Sequence, residues 1–367
     1  MRGAEPAMID EILTPAPLVD VSRVAANLDR MAAYAAKHGL RLRPHVKTHK
    51  TTVIGDAQVR RGAAGLTCAT PHELQVMSAV ASDLLIAHPP LGPKIDRVLA
   101  LPRSVNVVAA LDSLEAIDHV ARAAAAANRR IGVYIELDVG MHRVGVSTPE
   151  QAVALARRVA DSTSLEYTGI CFYPGHIREP VGDQELKLAA LNTLLGEFVE
   201  ALTLAGLAPP VVSGGSTPTA WRTHDMPLVT EFRPGTYVFN DRTTAAIGAC
   251  APEDCALTVL ATVVSTSVSG QAVVDAGTKA LGREPMRGAS ADGYGAVVGH
   301  DDVVVSALSE EHGTLDLSRT TWRPSVGERV RIVPNHVCIA VHLNDVLYAV
   351  AGERLVGEWL VAARGRS

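Results

Sequence analysis

IGVYIELDVGMHRVGVSTPEQAVALARRVA, residues Ile131–Ala160, contains one full structural period of this chain. Its opening, Ile131–Asp138, is a short run rich in β-branched residues and reads as a strand. Glycines break the pattern after it, and Pro149–Ala160 then spaces its apolar residues as a helix does. The same alternation extends back to Thr14 and forward to about Asn240. The predicted strands are Pro17–Val21, Arg41–Val46, Gly65–Cys68, Leu84–His88, Val105–Leu111, Ile131–Asp138, Tyr167–Tyr173, Pro210–Ser213 and Leu228–Phe232. Helical spacing fills Ser22–His38, Pro71–Val80, Ser113–Ala127, Pro149–Ala160 and Asp183–Ala205. Strands that alternate with helices pair in parallel, because each helix returns the chain to the same end of the sheet. Roughly eight such units favour an α/β chain built as a (β/α)8 TIM-like barrel. No G-x-G-x-x-G follows the first strand, which argues against a dinucleotide-binding open sheet.

The rhythm changes near Cys250. Leu257–Val268, Gln271–Asp275, Asp302–Leu308 and Gly327–Pro334 are rich in Val and Thr, with no long helical stretch between them. A second, C-terminal β-rich domain is expected there. The expected division is a barrel over 14–245 and a β-rich domain over 250–367, to which 1–13 can be added.

Composition narrows the function. The 367 residues are 47% hydrophobic and 20% charged, as in an ordinary globular protein. A formal charge of -5 with no dense Lys/Arg run excludes nucleic acid as the main partner. MRGAEPAMIDEILTP has no apolar run to read as a signal peptide, and no later stretch is long enough for a membrane span. Five scattered cysteines without a CxxC read as reduced thiols of a cytoplasmic protein.

Five segments carry chemistry. In RLRPHVKTHK, Arg41–Lys50, a strand ends in Lys47, at the barrel mouth where such enzymes place reactive groups. Its amine could bond an aldehyde cofactor; a solvated basic loop is the other reading. VVSGGSTPT, Val211–Thr219, offers the amides of Gly214 and Gly215 and the hydroxyls of Ser216 and Thr217 to a phosphate, or is a plain turn. EFRPGTYVFND, Glu231–Asp241, adds Arg233, Gly235, Thr236 and Tyr237, or is a Pro-Gly turn between strands. In ELDVGMHRVGV, Arg143 stands among glycines that let backbone approach a ligand; a surface salt bridge is the alternative. In VPNHVCIAVHLND, His336 and Cys338 would share one side of a strand, as two ligands of a zinc-like site. Two ligands do not close a structural site, so water and substrate would complete it. Glu310, Glu311 and His312 read either as further support for that pair or as a solvated turn.

RPHVKTHK, GMHRVGV, GGSTPT, RPGTYVFND, EEHG and PNHVC together resemble, in order, the fold-type III pyridoxal-phosphate enzymes, with an alanine-racemase-like barrel followed by a β domain. Within that group the chain is similar, from Leu13 to its ARGRS tail, to the D-serine dehydratase and D-threonine aldolase branch. The resemblance implies pyridoxal 5'-phosphate on Lys47 as a Schiff base, with its phosphate on Gly214, Gly215, Ser216, Thr217, Gly235 and Thr236. It places Arg143 near the phenolic oxygen, Tyr173 and Tyr237 at the cofactor, and Arg233 at the pyridine nitrogen. His336 and Cys338 match the zinc pair of the dehydratases, whereas the aldolases tend to carry His-x-Asp and use manganese or magnesium. Those aldolases also place a histidine a few residues beyond the tyrosine. Here Glu179 stands at that spacing and His176 is the nearest imidazole.

The activity implied is a metal-assisted lyase on a small D-β-hydroxy-α-amino acid, dehydrating it to a keto acid and ammonia. Retro-aldol cleavage with His176 as base is the alternative. Two further readings are a racemase using Tyr294 and a non-catalytic cofactor carrier. By analogy of fold, a homodimer is expected.

Overall fold

The computed structural model describes residues 8–286 and 293–365. The chain divides into two compact units: one comprises 30–47, 52–235 and Gly365, the other 8–29, 48–51 and 236–364.

The first unit is an eight-stranded sheet in which every neighbouring pair is parallel. In spatial order its strands are Arg41–Leu42, Glu231–Phe232, Val212–Gly214, Leu165–Phe172, Ile131–Leu137, Asn106–Leu111, Asp83–Ile86 and Leu66–Cys68. A parallel bridge from His45 to Thr67 joins the two ends, so the sheet closes on itself. Helices between strands begin on side-chain caps: Thr70, Ser113 and Thr148 each accept from the amide three residues on. Proline at the first helical position adds to two of these starts, at Pro71 and Pro149. Seven consecutive residues of Ile131–Leu137 are buried, as a barrel strand under helices requires.

The predicted strand Arg41–Val46 is shortened to Arg41–Leu42, because Pro44 has no amide to give to a ladder. Beyond it the chain stays extended long enough for the His45 amide to bond Pro234 O at 3.0 Å. It then coils into the 3-10 turn Val46–Thr48 that carries Lys47.

The second unit holds a nine-stranded sheet, among the described residues. Gln271–Val274 pairs both with Gly313–Asp316 and with Leu257–Ser265, which curls the antiparallel part into a small barrel. Its inside is filled by Val259, Val263, Val274, Val305, Leu315 and Ile332. The predicted first strand, found at Ala16–Asp20, belongs to this sheet and not to the parallel one. It pairs antiparallel with Leu257–Ser265 and parallel with Val346–Ala351. Its local pattern fits either sheet, and partners more than 230 positions away decide between them. No described helix is long and apolar enough to cross a membrane.

Candidate active site

At the C-terminal ends of the parallel strands three predicted residues converge. Tyr173 follows the strand Leu165–Phe172, and two cations reach its ring: Lys47 Nζ lies 5.9 Å from the centroid and Arg143 Cζ 5.1 Å from it. Lys47 is exposed and Tyr173 half-buried, so an amine stands in the open beside an aromatic wall.

Two neighbouring strand ends form the phosphate-type cradle. Val212–Gly214 delivers Gly214, where a Cβ would sit 2.1 Å from the Phe172 ring, so no side chain fits. Gly215 follows with φ +90°, a conformation that favours glycine. Ser216 and Thr217 come next, both buried. The Gly235 amide donates to Thr217 Oγ1 at 3.2 Å, and the Ser216 amide to Thr219 Oγ1 at 3.2 Å. The Gly235 amide and the Thr217 hydroxyl thus join the two loops, with glycine backbone and the Ser216 and Thr217 hydroxyls beside that link. Such a cradle fits a phosphate.

Arg233 is held under these loops by a chain of buried groups. Its guanidinium donates to Phe172 O at 2.9 Å and to Ser213 Oγ at 2.5 Å. Ser213 Oγ in turn donates to Glu231 Oε1 at 2.8 Å. Tyr134 donates to the same oxygen at 3.3 Å, while Arg43 Nε reaches Oε2 at 2.9 Å. Burial opposes the charge on Arg43, but the carboxylates of Glu231 and Asp83 outweigh it and raise its pKa above the ordinary guanidinium range. Glu231 is fully buried and accepts from Ser213, Tyr134 and Arg43, so removing it takes away one of the two carboxylates that balance the buried Arg43 and leaves two hydroxyls without their acceptor. Glu231→Ala should lose about 3–5 kcal/mol of unfolding free energy, a large part of a typical domain's stability. Urea denaturation measures it; a loss below about 1 kcal/mol contradicts this account of the barrel interior.

His176 packs against the GMHRVGV loop, 3.2 Å from where a Gly140 Cβ would stand. Its Nδ1 is buried without a hydrogen-bond partner among the described residues. Burial, helped by the charge of Lys187, holds its pKa below the ordinary imidazole value. Glu179 is engaged by Lys187. The loop's other glycine, Gly145, passes close to the backbone of Leu137, so its small size serves chain packing and not a ligand.

The remaining predicted residues belong to the second unit. Thr236 and Tyr237 open the 3-10 turn Thr236–Val238. His336 and Cys338 do converge, although not on a strand: the strand Arg329–Pro334 has ended, and His336 is the cap residue of the helix Val337–His342. Their side chains lie within hydrogen-bonding reach of each other. His336 Nδ1 is 2.9 Å from Asp241 Oδ2, and Cys338 Sγ is 3.4 Å from Thr48 Oγ1. Burial pulls the His336 pKa down, but Cys338 and Asp241 outweigh it and push it up to about 11. Anionic surroundings of this kind suit a cation. No group of three or more His, Cys, Asp or Glu side chains able to hold a metal occurs among the described residues, so two protein donors stand here. An imidazole beside a thiolate fits a borderline-soft divalent ion with positions left open. Glu310 and Glu311 pair with exposed Lys279 in a solvated turn.

Sequence reading gave no role to Asp241, Ser213, Glu231 or Thr48. Asp241 left one trace, its spacing to Thr244: the two form a capping box at the helix Arg242–Ala246.

A parallel barrel with a lysine in the loop after an early strand, a late glycine cradle and an antiparallel β domain defines the fold-type III pyridoxal-phosphate enzymes. Residues 19–243 match the family model "Alanine racemase, N-terminal domain", and residues 256–350 match "Putative serine dehydratase domain". The D-threo-3-hydroxyaspartate dehydratase of Delftia sp. (strain HT23) is 34% identical, covering 94% of this chain and 96% of that protein. The 3-hydroxy-D-aspartate aldolase of Paracoccus denitrificans (strain Pd 1222) is 30% identical over 97% of this chain and 93% of its own. Among solved structures, D-threonine aldolase from Filomicrobium marinum superposes with a TM-score of 0.90 at 29% identity, covering 99% of each chain. The chain belongs to the alanine racemase N-terminal domain family, in the branch that carries the serine dehydratase domain. It is a pyridoxal-phosphate-dependent lyase.

Proposed function

We propose that the chain dehydrates a small D-β-hydroxy-α-amino acid to a keto acid and ammonia, using pyridoxal 5'-phosphate and a divalent metal, zinc in preference to manganese or magnesium. The observation that carries this reading is the imidazole–thiolate pair of His336 and Cys338, since thiolate favours zinc over harder ions. The Delftia enzyme supports it. Its solved forms include a His-to-Ala mutant and a Cys-to-Ala mutant in the metal-free form, the two substituted positions lying two apart as His336 and Cys338 do.

Lys47 is the residue that holds the cofactor. Gly214, Gly215, Ser216, Thr217, Gly235 and Thr236 would bind its phosphate, Tyr173 and Tyr237 would contact it, and Arg143 would stand near the phenolic oxygen. Arg233, fixed through Ser213, would meet the pyridine nitrogen. When bound, the cofactor supplies an electron sink for charge released at the α-carbon. Lys47 Nζ takes the α-proton of the substrate. His336 and Cys338 would hold the metal, whose Lewis acidity would ease departure of the β-hydroxyl. Loss of water leaves an unsaturated amine that hydrolyses to keto acid and ammonia.

Retro-aldol cleavage is the second reading, favoured by the aldolases among the relatives and by the partnerless His176. There His176 takes the β-hydroxyl proton, the Cα–Cβ bond breaks with its electron pair left on Cα, Lys47 Nζ returns a proton to Cα, and glycine and an aldehyde leave. Because burial lowers its pKa, His176 stays neutral at physiological pH. The acid limb of the rate should then lie below the ordinary imidazole value, with activity lost as pH falls through it.

D-serine, D-threonine and D-threo-3-hydroxyaspartate, assayed for keto acid and for aldehyde, separate the two. Keto acid without glycine is the expected product. His176→Asn should change its rate by less than about threefold, since a base with no part in the step contributes none of the usual 10²–10⁴. Glycine and aldehyde as the products, with a loss of about 10²-fold or more in that variant, would reverse the order of the two readings.

A further inference from the structure

The imidazole of His336 has two ring nitrogens, and only one can face a metal. We propose that Asp241 is a positioning residue that decides which, by holding His336 through Nδ1 so that Nε2 is left as the metal donor. This rests on the reading of His336 and Cys338 as metal ligands.

Asp241 is fully buried, and each of its carboxylate oxygens is committed. Oδ1 accepts from the Thr244 amide at 2.8 Å and from Thr244 Oγ1 at 3.0 Å, closing the cap of the helix Arg242–Ala246. Oδ2 accepts from the Val337 amide at 3.3 Å and lies 2.9 Å from His336 Nδ1. An ionised carboxylate only accepts, so Nδ1 must carry a proton, and Nε2 is the nitrogen that can give up its proton and turn a lone pair to a metal. That is the arrangement in which metal-bound histidines are oriented by an outer carboxylate. Electrostatics agree: one divalent ion, one thiolate and one carboxylate sum to zero, a favourable balance for a buried site.

Asparagine cannot reproduce this. One of its two terminal atoms is an NH2, and both positions face donors. If that NH2 points at His336 and Val337, the imidazole must turn over its tautomer and lose Nε2 as a ligand atom; if it points at Thr244, the cap is lost instead. Thr244→Ala separates these effects, since it weakens the cap while leaving Oδ2 on His336.

The test is zinc affinity of the metal-stripped enzyme, by competition with a chromophoric chelator, for wild type, His336→Ala, Asp241→Asn and Thr244→Ala. Asp241→Asn should weaken binding by about 10–100-fold, with Thr244→Ala within about twofold of wild type by the same reasoning. Cobalt substitution adds a second readout: the thiolate-to-cobalt charge-transfer band should persist in Asp241→Asn, because Cys338 is untouched. Wild-type binding that His336→Ala does not disturb would remove the metal reading itself. Asp241→Asn binding zinc as wild type does, while His336→Ala has lost it, would overturn the positioning role alone. Equal losses in Asp241→Asn and Thr244→Ala would also overturn it, by assigning the effect to the helix cap.

Discussion

Lys47→Ala should lower turnover by on the order of 10³-fold or more and leave the purified protein without covalently attached cofactor. Two roles end with the same amine. The protein loses its bond to the cofactor, and the α-carbon loses its base, a contribution that alone reaches 10²–10⁴-fold in general acid–base catalysis. The rest of the site should survive the change. Lys47 is an exposed side chain on a 3-10 turn, and the residues that shape the barrel interior beneath it, Arg43, Glu231, Ser213 and Arg233, make none of their bonds to it. The variant should therefore fold, with an urea midpoint near that of wild type. It should still take up the free aldehyde reversibly through the glycine cradle, and added small primary amines should restore part of the rate. A variant that keeps more than about a tenth of wild-type turnover would show that another group is the base.

His336→Ala, Cys338→Ala or exhaustive chelation should each lower the rate of β-hydroxyl loss by about 10²–10³-fold. That range follows from the several kcal/mol a Lewis acid removes from a developing oxyanion, at 1.36 kcal/mol per factor of ten. Unlike the lysine variant, the metal-free enzyme should keep its cofactor and its colour, because Lys47 and the glycine cradle are unchanged in it. Added zinc should restore the chelated wild type and fail to restore His336→Ala. Full activity in the presence of chelator would sink the metal-assisted lyase and raise the racemase reading, which has no use for the pair.

The two results differ in what the sequence could announce. The place of Lys47 in the loop beyond an early strand, and of the paired glycines at the end of a later one, was legible because local chemistry marks both, although the early strand ends at Leu42 and Lys47 sits on a separate 3-10 turn. The interior lattice behind Arg233 was not. Ser213 and Glu231 are 18 positions apart, and Arg43 is 188 from Glu231; only closure of the barrel makes them neighbours. Asp241 is the same case, since its link to His336 spans 95 positions. For His336 and Cys338 the convergence was expected for the wrong reason. A strand would align positions two apart on one face, but here the capping residue and the first turn of a helix bring them together. The first strand, Ala16–Asp20, shows the same limit at the level of the fold. Its pattern gave a strand, while its sheet was set by partners in the C-terminal half of the chain.

The most direct measurement is borohydride reduction of the enzyme purified with pyridoxal 5'-phosphate, followed by peptide mapping. A single reduced pyridoxyl adduct on the peptide containing Lys47 is the predicted result. An adduct confined to another lysine, or none at all, would contradict the account at its centre.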